Sequence, residues 1–254
     1  MLFDEIIFGP ITSRRLGQSL GINLLPTNGK VCTFDCIYCE CGFNFRNPEA
    51  HMPSRNQVKE AMQKRFDALA AQGATIDSIT FAGNGEPTVH PDFETIIDDT
   101  IALRNSLFPQ AKISVLSNAT CSGREKVFRA LNRVDNAILK LDSGIEASVR
   151  LINQPCGAFS LDETVRNMCR YRNNLIIQTL FFSGEYGGHY VDNTTTEEVE
   201  AWLQLIAVIR PQEVMLYSLD RPAPAQNLKK ASLDTLKAIA GKVEALGIAT
   251  QVNG

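Results

Sequence analysis

The chain has 254 residues, enough for one large domain with its own core or two small ones. Apolar residues make up 44% and charged residues 21%, with 17 Gly and 11 Pro, which excludes a disordered, collagen-like or low-complexity chain. With 25 basic against 28 acidic residues the net charge is -3, so no global basic field advertises a nucleic-acid binder. The start, Met-Leu-Phe-Asp-Glu, has neither a basic n-region nor an apolar h-region, and no stretch approaches the ~18 apolar residues of a membrane span. A cytoplasmic protein with no membrane partner is expected.

In chain order, an N-terminal extension at residues 1–19 precedes short apolar runs that alternate with amphipathic stretches. The runs predict strands at Leu20 to Leu25, Asp77 to Ala82, Lys112 to Ser117, Asn136 to Leu141, Leu175 to Phe182 and Glu213 to Leu219. The first helix reads most clearly: Val58, Met62, Phe66 and Leu69 line one face, Ser54 and Gln57 have capping-box spacing, and Gly73 follows. Ser122 with Glu125, Ser160 with Glu163 and Thr195 with Glu198 repeat that start signal, and a last helix carries Leu233, Leu236, Ala240, Val243 and Leu246 before Gly247. Six β/α units with no composition break predict one α/β domain, residues 1–254, with a parallel sheet either open or curled toward a barrel. Such sheets put their chemistry at the carboxyl ends of the strands.

Seven cysteines stand at 32, 36, 39, 41, 121, 156 and 169, an odd number with four of them inside ten residues. In a chain expected to stay reduced, so tight a group points to a metal or cluster rather than to disulfides. Cys32, Cys36 and Cys39 follow the first predicted strand, three thiols able to converge on one centre. Three ligands would leave one iron of a [4Fe-4S] cluster open to a substrate or cofactor. The alternative recruits Cys41 as a fourth ligand for a structural zinc knot in a non-catalytic interaction module, although zinc knots usually split into two distant pairs. Cys121, Cys156 and Cys169 read as small buried hydrophobes, with Cys156 and Cys121 also placed where a hydrogen-atom donor or second metal ligand would stand.

Cys-x3-Cys-x2-Cys with an aromatic, Tyr38, before its third cysteine resembles the signature of the radical S-adenosylmethionine superfamily. The resemblance implies a partial, open (β/α)6 barrel, a [4Fe-4S] cluster on Cys32, Cys36 and Cys39, and S-adenosylmethionine cleaved reductively to a 5′-deoxyadenosyl radical that abstracts hydrogen from a substrate. Phe81-Ala-Gly-Asn-Gly-Glu-Pro-Thr88 resembles the family's Gly-Gly-Glu motif, with Gly83, Asn84, Gly85 and Glu86 implied at the cofactor's ammonium group. Asn118 after the third strand, and Lys140 and Asp142 after the fourth, are implied in the ribose or carboxylate region, with Tyr38 beside them. Ser13-Arg14-Arg15-Leu-Gly17 and Asp220-Arg221-Pro222 extend the likeness toward the 4-demethylwyosine synthase branch, and the arginines suit an anionic substrate group. Those wyosine-forming enzymes carry a second cysteine set ahead of the radical motif, and here no cysteine precedes Cys32. The substrate thus stays open between an RNA base and a small molecule or peptide, and the implied electron donor is of the flavodoxin or ferredoxin kind. Ser183 to Asn193, rich in Gly and Tyr, reads as a mobile lid that includes His189 and Tyr190, and His90 reads as a turn residue before a helix.

Overall fold

The computed structural model describes every residue except Met1 and Arg46. The chain divides into two compact units, Met1–Cys32 with Asn44–Ser117 and Cys121–Ala137, and Thr33–Phe43 with Asn118–Thr120 and Ile138–Gly254.

In the first unit β1 (Ile7–Ser13) and β2 (Gly17–Ile22) form an antiparallel hairpin, and β2, β3 (Ser78–Phe81) and β4 (Lys112–Ser117) follow as parallel neighbours. The residues expected as an N-terminal extension are therefore an edge strand and the start of its partner. That pairing also explains why β2 begins earlier than its apolar run: polar Gln18 and Ser19 are recruited by the hairpin. Strand side chains alternate. Leu20, Ile22, Ile79, Phe81, Ile113 and Val115 are fully buried, and on the opposite face Ser19, Thr80, Ser78 and Ser114 link their hydroxyls at 2.7–3.0 Å.

Helix α1 (Arg55–Ala71) has the expected capping box, with the Ser54 hydroxyl accepting from the Gln57 N–H while the Gln57 side chain accepts from the Ser54 N–H. Its face of Val58, Met62, Phe66 and Leu69 is buried. Helix α2 (Phe93–Leu107) starts after Asp92, whose side chain makes no cap hydrogen bond, and Arg55 grips it through a two-point ion pair to Asp99 at 2.8 and 3.0 Å. Helix α3 (Glu125–Leu131) starts after Arg124, not at Ser122. A turn from Cys121 to Arg124 buries Ser122 completely, which removes it from the capping position.

The second unit orders β5 (Asn136–Lys140), β6 (Leu175–Leu180), β9 (Glu213–Tyr217) and β11 (Ala249–Asn253) in one sheet, with β6, β9 and β11 parallel. A second, three-stranded sheet holds β7 (Phe182–Tyr186), β8 (His189–Asp192) and β10 (Asn227–Lys230). The segment read as a mobile lid is thus a regular hairpin. Its turn residues Gly187 and Gly188 both have positive φ, +59° and +79°, the two-residue turn whose twist matches paired strands. The single strand expected from Leu175 to Phe182 breaks at Phe181, whose N–H reaches the Tyr217 carbonyl before Phe182 enters the other sheet.

Helices α4 (Glu146–Asn153), α5 (Leu161–Met168), α6 (Thr196–Ile209) and α7 (Leu233–Glu244) complete this unit. Ser160, Thr195 and Ser232 cap α5, α6 and α7 through their hydroxyls, the first two as expected. Trp202 of α6 is buried, packs edge-on to Phe181 and donates its indole N–H to the Leu141 carbonyl at 3.1 Å. No described helix is long and apolar enough to cross a membrane.

Candidate functional site

In the first unit the residues ahead of Cys32 and the glycine motif share one scaffold. Val31 makes a parallel bridge with Gly85: its N–H donates to the Asn84 carbonyl at 3.0 Å and its carbonyl accepts from the Glu86 N–H at 3.0 Å. Gly85 has φ +135°, and a Cβ there would stand 1.9 Å from the Val31 carbonyl oxygen, so only glycine lets the two backbones meet. The Asn84 carboxamide is fully buried and ties Phe3 and Pro26 together through three bonds of 2.8 Å, accepting from the Phe3 N–H and donating to the Phe3 and Pro26 carbonyls. The Asn84 side chain thereby anchors the turn that carries the candidate ligand groups Gly83 to Glu86. Glu86 is 1% exposed, and its Oε1 gathers the Thr88 N–H, the Thr88 hydroxyl and the Ser117 hydroxyl at 3.1, 2.5 and 2.8 Å. A buried carboxylate so fixed offers one orientation to a cationic group. His90, as expected, is a turn residue: its Nδ1 accepts from the Asp92 N–H, which puts the proton on Nε2, 2.8 Å from the Pro53 carbonyl.

In the second unit Cys36 and Cys39 are joined by a tight turn, the Cys39 N–H donating to the Cys36 carbonyl at 3.1 Å. Beside them lies a polar network that draws on five separate stretches of chain. Tyr38, 7% exposed, donates its hydroxyl to Asp142 Oδ2 and packs edge-on against Phe182. Asp142 also takes the Leu180 N–H at 3.0 Å, the Asn153 amide at 2.7 Å and the Lys140 ammonium at 3.4 Å. The Asp142 side chain is fully buried and joins Tyr38 to Lys140. Lys140 Nζ donates to the Tyr217 hydroxyl at 2.8 Å and stands 4.9 and 5.2 Å from the ring centres of Tyr38 and Tyr217. Burial opposes its charge, but Asp142, then Tyr217 and Cys36, hold its pKa above the usual lysine value. Burial pushes the Cys36 thiol up to about 11, with Lys140 and the Asn153 hydrogen bond acting against that rise and Asp142 and Cys39 adding to it. Tyr38 is likewise raised, by burial first and then by Asp142 and Cys36. Asn118 bonds to Thr33 Oγ1 at 2.8 Å and accepts from the Thr120 N–H and hydroxyl at 3.1 and 2.8 Å.

Sequence reasoning missed Asn153 and Tyr217 because their partners are far away in the chain. Asn153 sits in the same Asn-Gln-Pro-Cys stretch in which Cys156 drew attention. Cys156 itself is exposed, Cys121 buried, and Cys41 and Cys169 partly exposed. Burial raises the Cys169 thiol above its usual pKa, as suits a packing residue. Arg221 pairs with Glu40 at 2.8 Å. Among the described residues no group of three or more His, Cys, Asp or Glu stands ready as a metal site. The donor chemistry nevertheless fits an iron-sulfur centre: soft thiols in a short loop, with a buried amide N–H directed at one sulfur.

Residues 29–206 match the family described as the Radical SAM superfamily, and the chain belongs to it. Members of this superfamily use a [4Fe-4S] cluster and S-adenosylmethionine. A UPF0026 protein of Methanocaldococcus jannaschii is 28% identical over 241 residues, 92% of this chain and 70% of that protein. A protein of Brachyspira hyodysenteriae named GTPase Obg is 28% identical over 227 residues, 88% of this chain but only 31% of its own length. Among solved structures, a radical SAM methyltransferase from Sphaerobacter thermophilus aligns with TM-score 0.67 at 14% identity, covering 92% of this chain and 65% of that one. Archaeal TYW1 aligns with TM-score 0.53 at 12% identity, covering 89% and 71%. The α/β fold is thus the partial (β/α)6 barrel of this superfamily, as the sequence led us to expect.

Proposed function

We propose that Cys32, Cys36 and Cys39 hold a [4Fe-4S] cluster, and that S-adenosylmethionine is held by the Gly83, Asn84 and Gly85 backbone, Glu86, Tyr38, Asn118, Lys140 and Asp142. The observation that carries this reading is the bridge between Val31 and Gly85, which builds the first cluster cysteine and the glycine motif on one backbone frame. Held there, the cluster, once reduced by an external one-electron donor, would pass that electron to the sulfonium of S-adenosylmethionine, whose C5′–S bond would break to release methionine and a 5′-deoxyadenosyl radical able to take a hydrogen atom from the substrate. The residues of this chain bind and orient. Glu86, held by three donors, receives the cofactor's ammonium, and Lys140, kept protonated beside Asp142, suits its carboxylate. Tyr38 presents an aromatic face fixed by Asp142 and Phe182. The substrate is an RNA base or a small molecule, the reductant a flavodoxin or ferredoxin, and the setting the cytoplasm.

Equilibrium binding of S-adenosylmethionine to reconstituted protein tests the assignment. Glu86→Gln removes the charge but keeps the shape, and we expect affinity to fall about tenfold to a hundredfold, the worth of one charge-assisted hydrogen bond. Unchanged binding would remove Glu86 from the site.

A further inference from the structure

The segment after α4 lies along the cysteine loop like the second strand of a short ribbon. The Ile37 N–H donates to the Ile152 carbonyl at 3.0 Å, and the Asp35 N–H to the Asn153 and Gln154 carbonyls at 2.9 and 3.1 Å. Phe34 bridges Pro155, and the Cys156 N–H donates to the Thr33 carbonyl at 2.9 Å. Gln154 takes a left-handed conformation, φ +46° and ψ +69°, which turns the chain from the helix into this pairing. The register so fixed delivers the Asn153 side chain, 1% exposed, to the buried Cys36.

The amide of Asn153 has a single sensible orientation. Its nitrogen faces the Asp142 carboxylate at 2.7 Å, the Tyr38 oxygen at 2.9 Å and Cys36 Sγ at 3.4 Å. The Tyr38 hydroxyl gives its own hydrogen to Asp142, so its oxygen accepts, and all three neighbours therefore want a donor. Two N–H bonds serve three acceptors, one of them shared, and the nitrogen rather than the oxygen must point inward. An N–H directed at a ligand sulfur stabilises the more negative, reduced form of a cluster and so raises its potential.

Resting on the cofactor assignment above, we infer that Asn153 is a positioning residue that gives an N–H to the Cys36 sulfur, tunes the cluster's reduction potential upward, and couples that sulfur to Tyr38 through Asp142. Nothing in the motif spacing marks it, because the contact depends on the ribbon pairing of residues 33–37 with 152–156.

The test is pulsed EPR and a redox titration on the reconstituted full chain, wild type against Asn153→Ala. Protein with 15N in its asparagine side chains, exchanged into D2O and reduced, should show a 15N and an exchangeable deuteron coupled to the cluster. In Asn153→Ala both couplings should vanish, and the reduction equilibrium should shift up to about tenfold toward the oxidised form, about 59 mV for one electron. Should Asn153→Ala fail to fold, the wild-type couplings alone decide the contact, and Asn153→Gln, which keeps an amide donor on a longer arm, reports the potential. A cluster with no asparagine 15N coupling, or an unchanged potential in folded Asn153→Ala, would overturn this inference and leave the cofactor assignment standing. Wild-type protein that assembles no [4Fe-4S] cluster at all would overturn the assignment, and the inference with it.

Discussion

The two units order their candidate ligand groups by different means. In the first, the Gly83–Glu86 turn is shaped chiefly by backbone, with two N–H to carbonyl bonds to Val31 and a glycine at φ +135°, and one side chain, Asn84, stitches Phe3 to Pro26. In the second, Tyr38, Lys140, Asp142, Asn153 and Tyr217 are ordered by one another through side chains, with Asp142 at the hub. A backbone frame tolerates no added atom but is indifferent to most side-chain chemistry. A side-chain network has room to adjust, yet it fails wherever a donor is lost.

The contrast breaks most sharply at Gly85. Gly85→Ala adds a Cβ 1.9 Å from the Val31 carbonyl, so the pairing that carries Cys32 must open. We expect the apo-protein to lose about 1–3 kcal/mol of stability, visible as a lower thermal midpoint, before any cofactor is added. A midpoint equal to wild type would show that the turn is not held as described. In the second unit the corresponding change is Lys140→Met, which keeps the stem and removes the charge. Here the apo-protein should change less than in Gly85→Ala, while affinity for S-adenosylmethionine drops about tenfold, the ~1.4 kcal/mol of one charged contact. If stability fell and binding did not, Lys140 would be a structural partner of Tyr217 and Asp142 alone.

The smallest expected effect lies away from either ligand group, at the clasp between α1 and α2. The Arg55 hydrogen bonds, with help from Lys59, hold the Asp99 carboxyl below its usual pKa, against a smaller opposing effect of burial. A depressed folded-state pKa adds stability above the unfolded value and loses it as pH falls. Asp99→Asn should therefore lower the thermal midpoint slightly at pH 7 and make no difference once the pH is well below about 4. A difference that persisted in acid would assign the effect to packing.

What the sequence revealed follows the same division. Cys32, Cys36, Cys39 and Gly83 to Glu86 could be singled out as candidates because local spacing groups them, and the Ser54, Ser160 and Thr195 caps were legible because each bond closes within three residues. Asn153 was not legible, since its partners lie 117, 115 and 11 positions away and meet it only through the ribbon pairing. Strands β10 and β11 escaped because Asn-Leu-Lys-Lys and Ala-Thr-Gln-Val-Asn carry no apolar alternation, being short strands at sheet edges. The hairpin of β7 and β8 is different. Gly187-Gly188 is a strong turn signal, but the glycines read as mobility rather than as the tight connection they make.

The central claim is that this chain carries out reductive cleavage of S-adenosylmethionine on a cluster held by three cysteines. The most direct measurement is 5′-deoxyadenosine released by anaerobically reconstituted, chemically reduced protein, with Cys36→Ala as the blank and Cys169→Ala as the control. We predict release from wild type and Cys169→Ala, accompanied by iron and sulfide, and none from Cys36→Ala. A fully loaded and active Cys36→Ala protein, or zinc in place of iron in a wild-type protein that releases nothing, would contradict the account.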